Sequence, residues 1–320
     1  MLIQTHTIHP DSEAIFKAQA TTPENIRATR SGIHEACTRC FKIETTEPGL
    51  KLRRCGKCKG VWYCTKECQT AHWPTHKKTC SPVDGSGIRR LVENFYANPL
   101  LNQYLQVCLV LHFDLLQRPR LDTPFMARVD VAIEPADIPE FLPILMGQPV
   151  QGTLRGMLQV NAFTPLPAAA MAALAPMRRQ IWRAARESAD KNGFARDSIG
   201  LVEFGNGSVG QTITVPVHVR APALELARDA SPWVMNSAVT GQTTELPLTI
   251  HTCMEFMNTH IRSDKKNQLL LRTEMRPSDI EIIRDAGAEA SGTAARLLKA
   301  KMAREYIFRP MADLLQQTES

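Results

Sequence analysis

Hydrophobic and polar residues follow two different periods along most of the chain. Apolar residues recur at helical spacing over 88–116, and Asn98-Pro99 interrupts this pattern, so we expect two consecutive helices there. Four further helices are predicted at 168–191, 246–262, 278–285 and 291–317. Four stretches have the alternation or composition of strands, namely 125–133, 157–163, 198–204 and 213–219. Without internal repeats, this mixture predicts an α+β domain.

The remaining residues divide the chain into four parts. Residues 1–30 have no clear period, and we expect a loose lead with at most one short helix. Residues 81–86, Ser-Pro-Val-Asp-Gly-Ser, have the composition of a linker. Between them lies a cysteine-rich segment, 31–80, and after them a domain, 87–320, long enough to bury a core.

Cysteines are concentrated in one segment. Seven of the nine lie between Cys37 and Cys80, where an even distribution would place about one, so this segment contains either disulfides or a metal site. The other two, Cys108 and Cys253, stand alone in apolar surroundings, and we expect them to be buried thiols.

The location of the protein helps to decide between disulfides and metal. The chain opens without a basic start and an apolar run, and its most apolar stretch, 104–116, is interrupted by polar residues. We therefore expect an intracellular protein of the nucleus or cytoplasm with no membrane partner. Disulfides rarely persist in that reducing environment, which favours metal.

The spacing of the candidate ligands indicates which metal it is. They form four short-range pairs: Cys37-x2-Cys40, Cys55-x2-Cys58, Cys64-x3-Cys68 and His76-x3-Cys80. Such spacing lets two ligands reach one tetrahedral ion at roughly 2.0–2.3 Å. Eight nitrogen and sulfur ligands complete two closed tetrahedra, which fits two structural zinc ions. An iron–sulfur cluster would leave the histidine unexplained.

The run from Trp62 to Cys80, WYCTKECQTAHWPTHKKTC, resembles the second half of a MYND-type zinc finger. Every ligand interval from Cys55 onward agrees with that family, whereas the fourteen residues between Cys40 and Cys55 form a longer loop than usual. The resemblance implies a small, cross-braced finger with interleaved sites. One zinc would be held by Cys37, Cys40, Cys64 and Cys68, and the other by Cys55, Cys58, His76 and Cys80.

His72 is an alternative ligand because it lies four residues before His76. The family pattern and the x3 interval to Cys80 favour His76, with His72 as an ordinary helix residue. Within the finger we expect a strand at 61–63, a helix at 65–71 and a second helical turn opened by Pro74.

The resemblance also implies a function, since MYND fingers bind short proline-containing segments of partner proteins. Gln69 and Trp73 match two positions of the family's groove, and residues i and i+4 share one face of a helix. An indole suits a proline ring, and an amide can bond to the backbone of an extended peptide. The alternative is that Trp73 fills the small core beneath the zinc sites. We expect Trp62 to be a core residue.

Charge gives a weaker indication. Residues 31–80 contain ten Lys or Arg and four Asp or Glu, an excess that could attract an acidic partner or a phosphate, or form a solvated face. No basic helix is long enough to read a nucleic-acid groove, so nucleic-acid binding is disfavoured.

Three enzyme motifs in 87–320 lack the necessary context. Gly205-x-Gly207-x-x-Gly210 precedes a β-rich stretch instead of a helix, and Asn206-Gly207 suits a hairpin turn. His112-Phe113-Asp114 resembles part of the triad of iron-dependent oxygenases, but neither His218 nor His251 has a recognisable setting. A methyltransferase SET domain would need an Asn-His motif and a trailing cysteine cluster, and residues 87–320 contain neither.

The sequence therefore predicts an interaction protein and no enzyme. Its finger would bind protein partners, and the role of 87–320 is unassigned. Two alternatives are an enzyme with its active site in 87–320 and a nucleic-acid-binding zinc protein. The sequence indicates nothing about the oligomeric state.

Overall fold

The computed structural model describes residues 12–31, 37–40, 42, 49–58, 61–77, 80, 88–167, 176–206, 212–236, 243–288, 290 and 292–308. Its strands are β1 (Arg53–Arg54), β2 (Trp62–Tyr63), β3 (Met126–Pro135), β4 (Arg155–Pro165), β5 (Ile199–Gly205), β6 (Thr212–His218), β7 (Trp233–Asn236), β8 (Thr243–Leu246) and β9 (Arg272–Glu274). The predicted α+β class is confirmed: a small zinc-finger segment at 37–80 precedes a mixed domain of helices and strands.

Helices lie on both sides of the central sheet, except for the third helix, which belongs to the zinc-finger segment. They are α1 (Ser12–Gln19), α2 (Pro23–Ser31), α3 (Lys66–His76), α4 (Ile88–Ala97), α5 (Pro99–Phe113), α6 (Phe141–Leu145), α7 (Pro176–Lys191), α8 (Ala221–Asp229), α9 (Ile250–Ser263), α10 (Pro277–Gly287) and α11 (Thr293–Arg304). Short 3-10 turns lie at Ile138–Glu140 and Tyr306–Phe308. We call everything outside the finger the body.

The body is built on a five-stranded sheet in the order β6-β5-β3-β4-β9. Strand β3 lies in the middle, parallel to β5 and antiparallel to β4, and the outer pairs β5–β6 and β4–β9 are antiparallel. Almost every residue of β3 is buried because helices cover both faces of the sheet. Helices α5 and α9 pack together on one face, and Ile181 and Trp182 of α7 cover Met126 and Leu201 on the other.

Most elements predicted from the sequence are present with shifted ends. The predicted break at Asn98-Pro99 is confirmed: Asn98 Oδ1 accepts the backbone N–H groups of Leu100 and Leu101 at 3.0 and 3.2 Å, and Pro99 occupies the first turn of α5. The helix predicted at 168–191 is seen from Pro176, and 168–175 lie outside the described residues. The last predicted helix ends at Arg304, and 309–317 are likewise not described.

The N-terminal segment differs from the expected loose lead. Helices α1 and α2 place Phe16 and Ile26 in the core of the body, where Ile26 has no exposed surface. The Phe16 ring lies 5.1 Å from that of His260, and Gln268 Nε2 donates to the carbonyl of Thr21 at 3.0 Å. These contacts fix the segment 12–31 on the body.

Cys108 and Cys253 are buried, as expected, but they do not stand alone. The neighbouring Cys253 side chain on α9 and burial together raise the pKa of Cys108 on α5 well above its usual value.

A network of buried charges joins α9 and α11 to the sheet. Lys301 has no exposed surface, and its Nζ lies 2.5 Å from Glu134 Oε1 on β3. Arg262 Nη2 donates to Glu305 Oε2 at 2.8 Å, and Asn258 Nδ2 donates to Glu305 Oε1 at 2.5 Å. Each ion therefore has a partner, as buried charges require.

Candidate metal centre and peptide groove

The finger backbone brings its ligands together through two tight turns. The N–H of Cys37 donates to the carbonyl of Lys42 at 2.8 Å, and the N–H of Cys55 donates to that of Val61 at 2.9 Å. The N–H of Thr38 donates to Trp62 on β2 at 2.8 Å, which ties the first turn to the β1–β2 hairpin.

Helix α3 supplies ligands to both sites. Thr65 Oγ1 caps it by accepting the N–H of Cys68 at 3.3 Å. The helix then runs without interruption through Pro74 to His76. The expectation that Pro74 opens a separate helical turn is therefore wrong. Because Cys68, His72 and His76 are spaced by four, they lie on one face of the helix.

The first ligand group contains Cys37, Cys40, Cys64 and Cys68, whose sulfurs all lie within 4.8 Å of one another. Cys40 Sγ is 3.4 Å from Cys64 Sγ, which is 3.5 Å from Cys68 Sγ. Two sulfurs bound tetrahedrally to zinc at about 2.3 Å would be roughly 3.8 Å apart. The spacing of the sulfurs fits one tetrahedral ion.

The second group contains Cys55, Cys58, His76 and Cys80, all buried and also within 4.8 Å of one another. Cys55 Sγ lies 3.9 Å from Cys80 Sγ, and Cys58 Sγ lies 3.3 Å from His76 Nε2. The ligands of the two groups alternate along the chain, which is the cross-braced arrangement that the resemblance implied. Four ligands in each group leave no open position, so the sites are structural.

The ionisation of the thiols also suits a cation. Burial raises the pKa of Cys55, but the backbone N–H of Cys58, the His76 side chain and the N–H of Lys57 outweigh it and lower the value to about 6. Burial and the neighbouring sulfurs of Cys55 and Cys58 raise the pKa of Cys80 to about 11. Adjacent thiolates repel each other, so a shared cation would be needed to ionise all of them.

His72 lies outside both ligand groups. Its Nδ1 is hydrogen-bonded to Tyr63 Oη at 2.9 Å, and its ring stacks on that of His76 at 5.7 Å. Burial lowers its pKa, and the charges of His76 and Arg39 lower it further. This hydrogen bond between His72 and Tyr63 holds α3 against β2. It was not predicted, because no local sequence pattern indicates it.

Trp73 and Gln69 lie side by side on α3. Trp73 is 42% exposed and packs edge-on against His76 at 5.8 Å. It does not belong to the small core of the finger, whereas Trp62 packs against that core. The Trp62 ring also lies 4.3 Å from the Arg54 guanidinium and 5.7 Å from that of Arg89 on α4, so it links the finger to the body.

No enzyme motif considered in the body is assembled among the described residues. Among the described residues, the two finger sites are the only groups of Cys, His, Asp or Glu side chains that could hold a metal ion. His112 is exposed on α5, and His218 Nε2 is hydrogen-bonded to Asp197 Oδ2 at 2.6 Å. Strand β5 pairs antiparallel with β6, while Gly207 and Gly210 are not described. No helix in the described ranges is long and apolar enough to cross a membrane.

Two known families match separate parts of the chain. The family described as "MYND finger" matches residues 37–80, which confirms the resemblance. The family described as "Domain of unknown function (DUF8205)" matches residues 83–308, most of the chain. The chain belongs to the DUF8205 family. Two four-ligand Cys/His sites in this DUF8205 protein fit a MYND finger that binds two zinc ions, and such a finger supports a role in protein–protein interaction.

Several curated proteins are similar to the finger. The N-lysine methyltransferase SMYD2 of Homo sapiens is 47% identical over 47 residues, which are 15% of this chain and 10% of that protein. SMYD2-B of Xenopus laevis is 45% identical over 51 residues, 16% of this chain and 11% of that protein. The SET domain and MYND-type zinc finger protein 6 of Schizosaccharomyces pombe is 38% identical over 56 residues, 18% and 11%. The DUF8205 chain spans about a tenth of the length of these relatives. No solved structure matches it.

These relatives contradict the prediction that the protein is not an enzyme. They are named as methyltransferases or as proteins with SET and MYND domains, so the matched finger occurs in enzymes. That prediction is wrong. The similarity covers the finger alone, so it identifies no catalytic residue in the DUF8205 body.

Proposed function

We propose that the finger is a zinc-stabilised interaction module that binds short proline-containing segments of partner proteins. The observation that carries the proposal is an exposed indole, Trp73, beside the half-buried amide of Gln69 on α3. Tryptophan is one of the residues enriched at the hot spots of protein–protein interfaces, where its side chain anchors the partner.

The surroundings of both side chains support this role. The edge-on contact with His76 fixes the Trp73 ring on a helix that is itself fixed by two ligands. The Gln69 side chain makes no hydrogen bond to any described residue, so its N–H and C=O groups are available to a peptide backbone. A rigid aromatic face next to an open amide suits a polyproline II segment, which loses little entropy on binding.

The division of the chain is part of the proposal. We place the interaction module at 37–80 and assign both 12–31 and 88–308 to the body. The core shared by Phe16, Ile26 and the helices after the finger supports this division. The proposal concerns the finger and holds equally if the body is catalytic.

The test compares three variants of the full chain. Trp73→Ala should weaken binding of a proline-containing peptide by roughly 1–3 kcal/mol, the loss of an aromatic anchor. Gln69→Ala should cost about 1 kcal/mol, the value of a neutral hydrogen bond. Thr75→Ala, at an exposed position elsewhere on α3, is the matched control and should bind like the wild type. Binding is measured by calorimetry, with zinc content determined for each variant.

Zinc content separates an anchor from a core residue. All three variants should keep two zinc ions, because none of these residues belongs to either ligand group. If Trp73→Ala kept both ions and bound every peptide as the wild type does, the proposed groove would be ruled out.

A further inference from the structure

The proposed groove lies between Lys66, at the start of α3, and Lys77, the C-cap residue that continues the helical conformation. At 100° per residue, Lys66, Gln69, Trp73 and Lys77 fall within about 80° of one another around the helix axis. Lys66 and Lys77 are exposed, and the indole and the amide lie between them. The acidic residue Glu67 points about 100° or more away from Lys66, Gln69 and Trp73.

The rest of the finger surface has the same sign of charge. All eight lysines and arginines among its described residues are exposed: Arg39, Lys42, Lys51, Arg53, Arg54, Lys57, Lys66 and Lys77. Glu67 is the only Asp or Glu in the described part of the finger. Seven thiolates and two Zn²⁺ ions would together add only −3 to these eight positive charges and one negative charge, so the finger remains basic.

The two lysines of the groove are available to a partner. Neither Lys66 nor Lys77 forms an ion pair with any described residue. Arg53 on β1 is equally exposed and pairs through the backbone with Tyr63, the residue that contacts α3. A segment lying along the groove would therefore meet positive charge at both of its ends.

We infer that the partner segment is acidic, with Asp or Glu on both sides of the proline. This inference rests on the proposed function and specifies its ligand. Lys77 lies about 6 Å along the helix from Trp73, and Lys66 about 10.5 Å in the other direction. A polyproline II peptide advances about 3.1 Å per residue. A proline on Trp73 thus places acidic residues about two positions away on one side and about three on the other.

The first experiment uses a degenerate peptide library with one fixed central proline as the probe. The full-length, zinc-loaded protein captures peptides from it, and the bound fraction is sequenced. Asp and Glu should be enriched two to three positions from the proline, and Lys and Arg should be depleted there. Equal frequencies of acidic and neutral residues, or an excess of basic ones, would overturn the inference.

The second experiment reverses the charges. A synthetic peptide with glutamates at the selected positions is compared with one carrying lysines there. Lys66→Glu/Lys77→Glu should weaken binding of the glutamate peptide roughly two- to tenfold, as expected for two exposed ion pairs, and should strengthen binding of the lysine peptide. Lys191→Glu/Arg228→Glu, which changes the net charge equally on the body, should affect neither. Affinity that does not change with the charge of α3 would contradict the inference.

Failure of the inference differs from failure of the proposed function. If capture depends on Trp73 but shows no acidic preference, the proline-binding function stands and the inference is wrong. If Trp73→Ala captures the same peptides as the wild type, the proposed function itself fails. If an acidic peptide without proline bound as tightly as the proline peptide, binding would be due to non-specific charge attraction, and the requirement for proline would be contradicted.

Discussion

The finger and the body are stabilised in different ways. Among the described residues of the finger, six form the buried core: four metal-site cysteines, Leu52 and Tyr63. The body has a large core around Phe95, Phe125 and Phe204, sealed by helices on both faces of its sheet. Two regions of one chain therefore depend on different conditions: the finger on metal and reduced thiols, the body on the burial of apolar surface.

The body and the finger therefore differ in how well they tolerate substitution of a core residue. A core of many apolar side chains loses a few kcal/mol when one is truncated. A finger whose core consists of ligands loses a whole site with one substitution. Residues of the finger outside the ligand groups, such as half-buried Gln69 and exposed Trp73, can accordingly be replaced without removing a metal site.

Removal of zinc should have the largest effect. A chelator should unfold 37–80 and leave the body folded, because each structural site supplies an apparent binding free energy of about 10–16 kcal/mol. Cys58→Ala should remove one zinc ion and loosen the entire finger, since both sites are built on the same backbone. Metal analysis and circular dichroism measure both effects.

His72→Ala is the matched control, since His72 lies outside both ligand groups. It should keep two ions, whereas His76→Ala should lose one. The reverse result would contradict the ligand assignment, and unfolding of the body together with the finger would show that the two regions are not independent.

Disruption of the buried ion network should have the next largest effect, this time in the body. Lys301→Met leaves Glu134 and Glu305 buried with less positive charge, which should lower the free energy of unfolding by about 3–5 kcal/mol. Lys301→Met/Glu134→Gln should recover part of that loss. Denaturant unfolding measures the change, and exposed Lys191→Met is the control.

Zinc content also tests whether the body and the finger are stabilised independently. The Lys301 variants should keep both ions because the network and the ligand groups share no residue. A Lys301→Met protein as stable as the wild type would show that the network contributes nothing to stability.

Acid should have a smaller effect, acting through His260. Burial lowers the pKa of His260 from 6.5 to about 4, and its Nε2 has no hydrogen-bond partner among the described residues. As the pH decreases, His260 therefore takes up a proton in the unfolded chain at a higher pH than in the folded protein. The stability that depends on neutral His260 is complete above pH 6.5 and is lost as the pH decreases towards 4. Between pH 7 and pH 5 the loss should be about 2 kcal/mol.

The comparison with His260→Leu isolates this contribution, because acid also releases zinc from both proteins. His260→Leu should lose about 2 kcal/mol less than the wild type over that interval in denaturant unfolding. His112→Gln, at an exposed position where burial lowers the pKa less, should change the pH profile much less than His260→Leu. Identical pH profiles for wild type and His260→Leu would show that His260 does not sense acid.

The features predicted from the sequence are those with local causes. Short ligand spacing identified the metal site, and the Asn98-Pro99 interruption predicted the start of α5. Strands β3 to β6 were found because their apolar residues are continuous or alternate. The periodicity of α5 and α9 also predicted helices, with ends displaced by a few residues.

The features missed by the sequence depend on distant contacts. Strands β7, β8 and β9 have three or four residues each and are too short to show a period. Glu134, Arg262 and Lys301 come from three separate elements, so no motif links them. The packing of α1 on the body was not predicted, because it depends on Phe16 joining a core formed by distant residues.

The position of the finger in the chain has one further consequence. Helix α2 precedes the finger and α4 follows it, yet Arg30 Nη1 donates to Asn94 Oδ1 at 2.5 Å, so these two helices touch. The finger is thus an insertion that leaves the body and returns to the same place. A protein shortened by joining α2 directly to α4 would keep its core, whereas one beginning at residue 83 would lose Phe16 and Ile26 and expose the surface beneath them. The smallest unit able to fold as the body is therefore discontinuous in sequence and continuous in space.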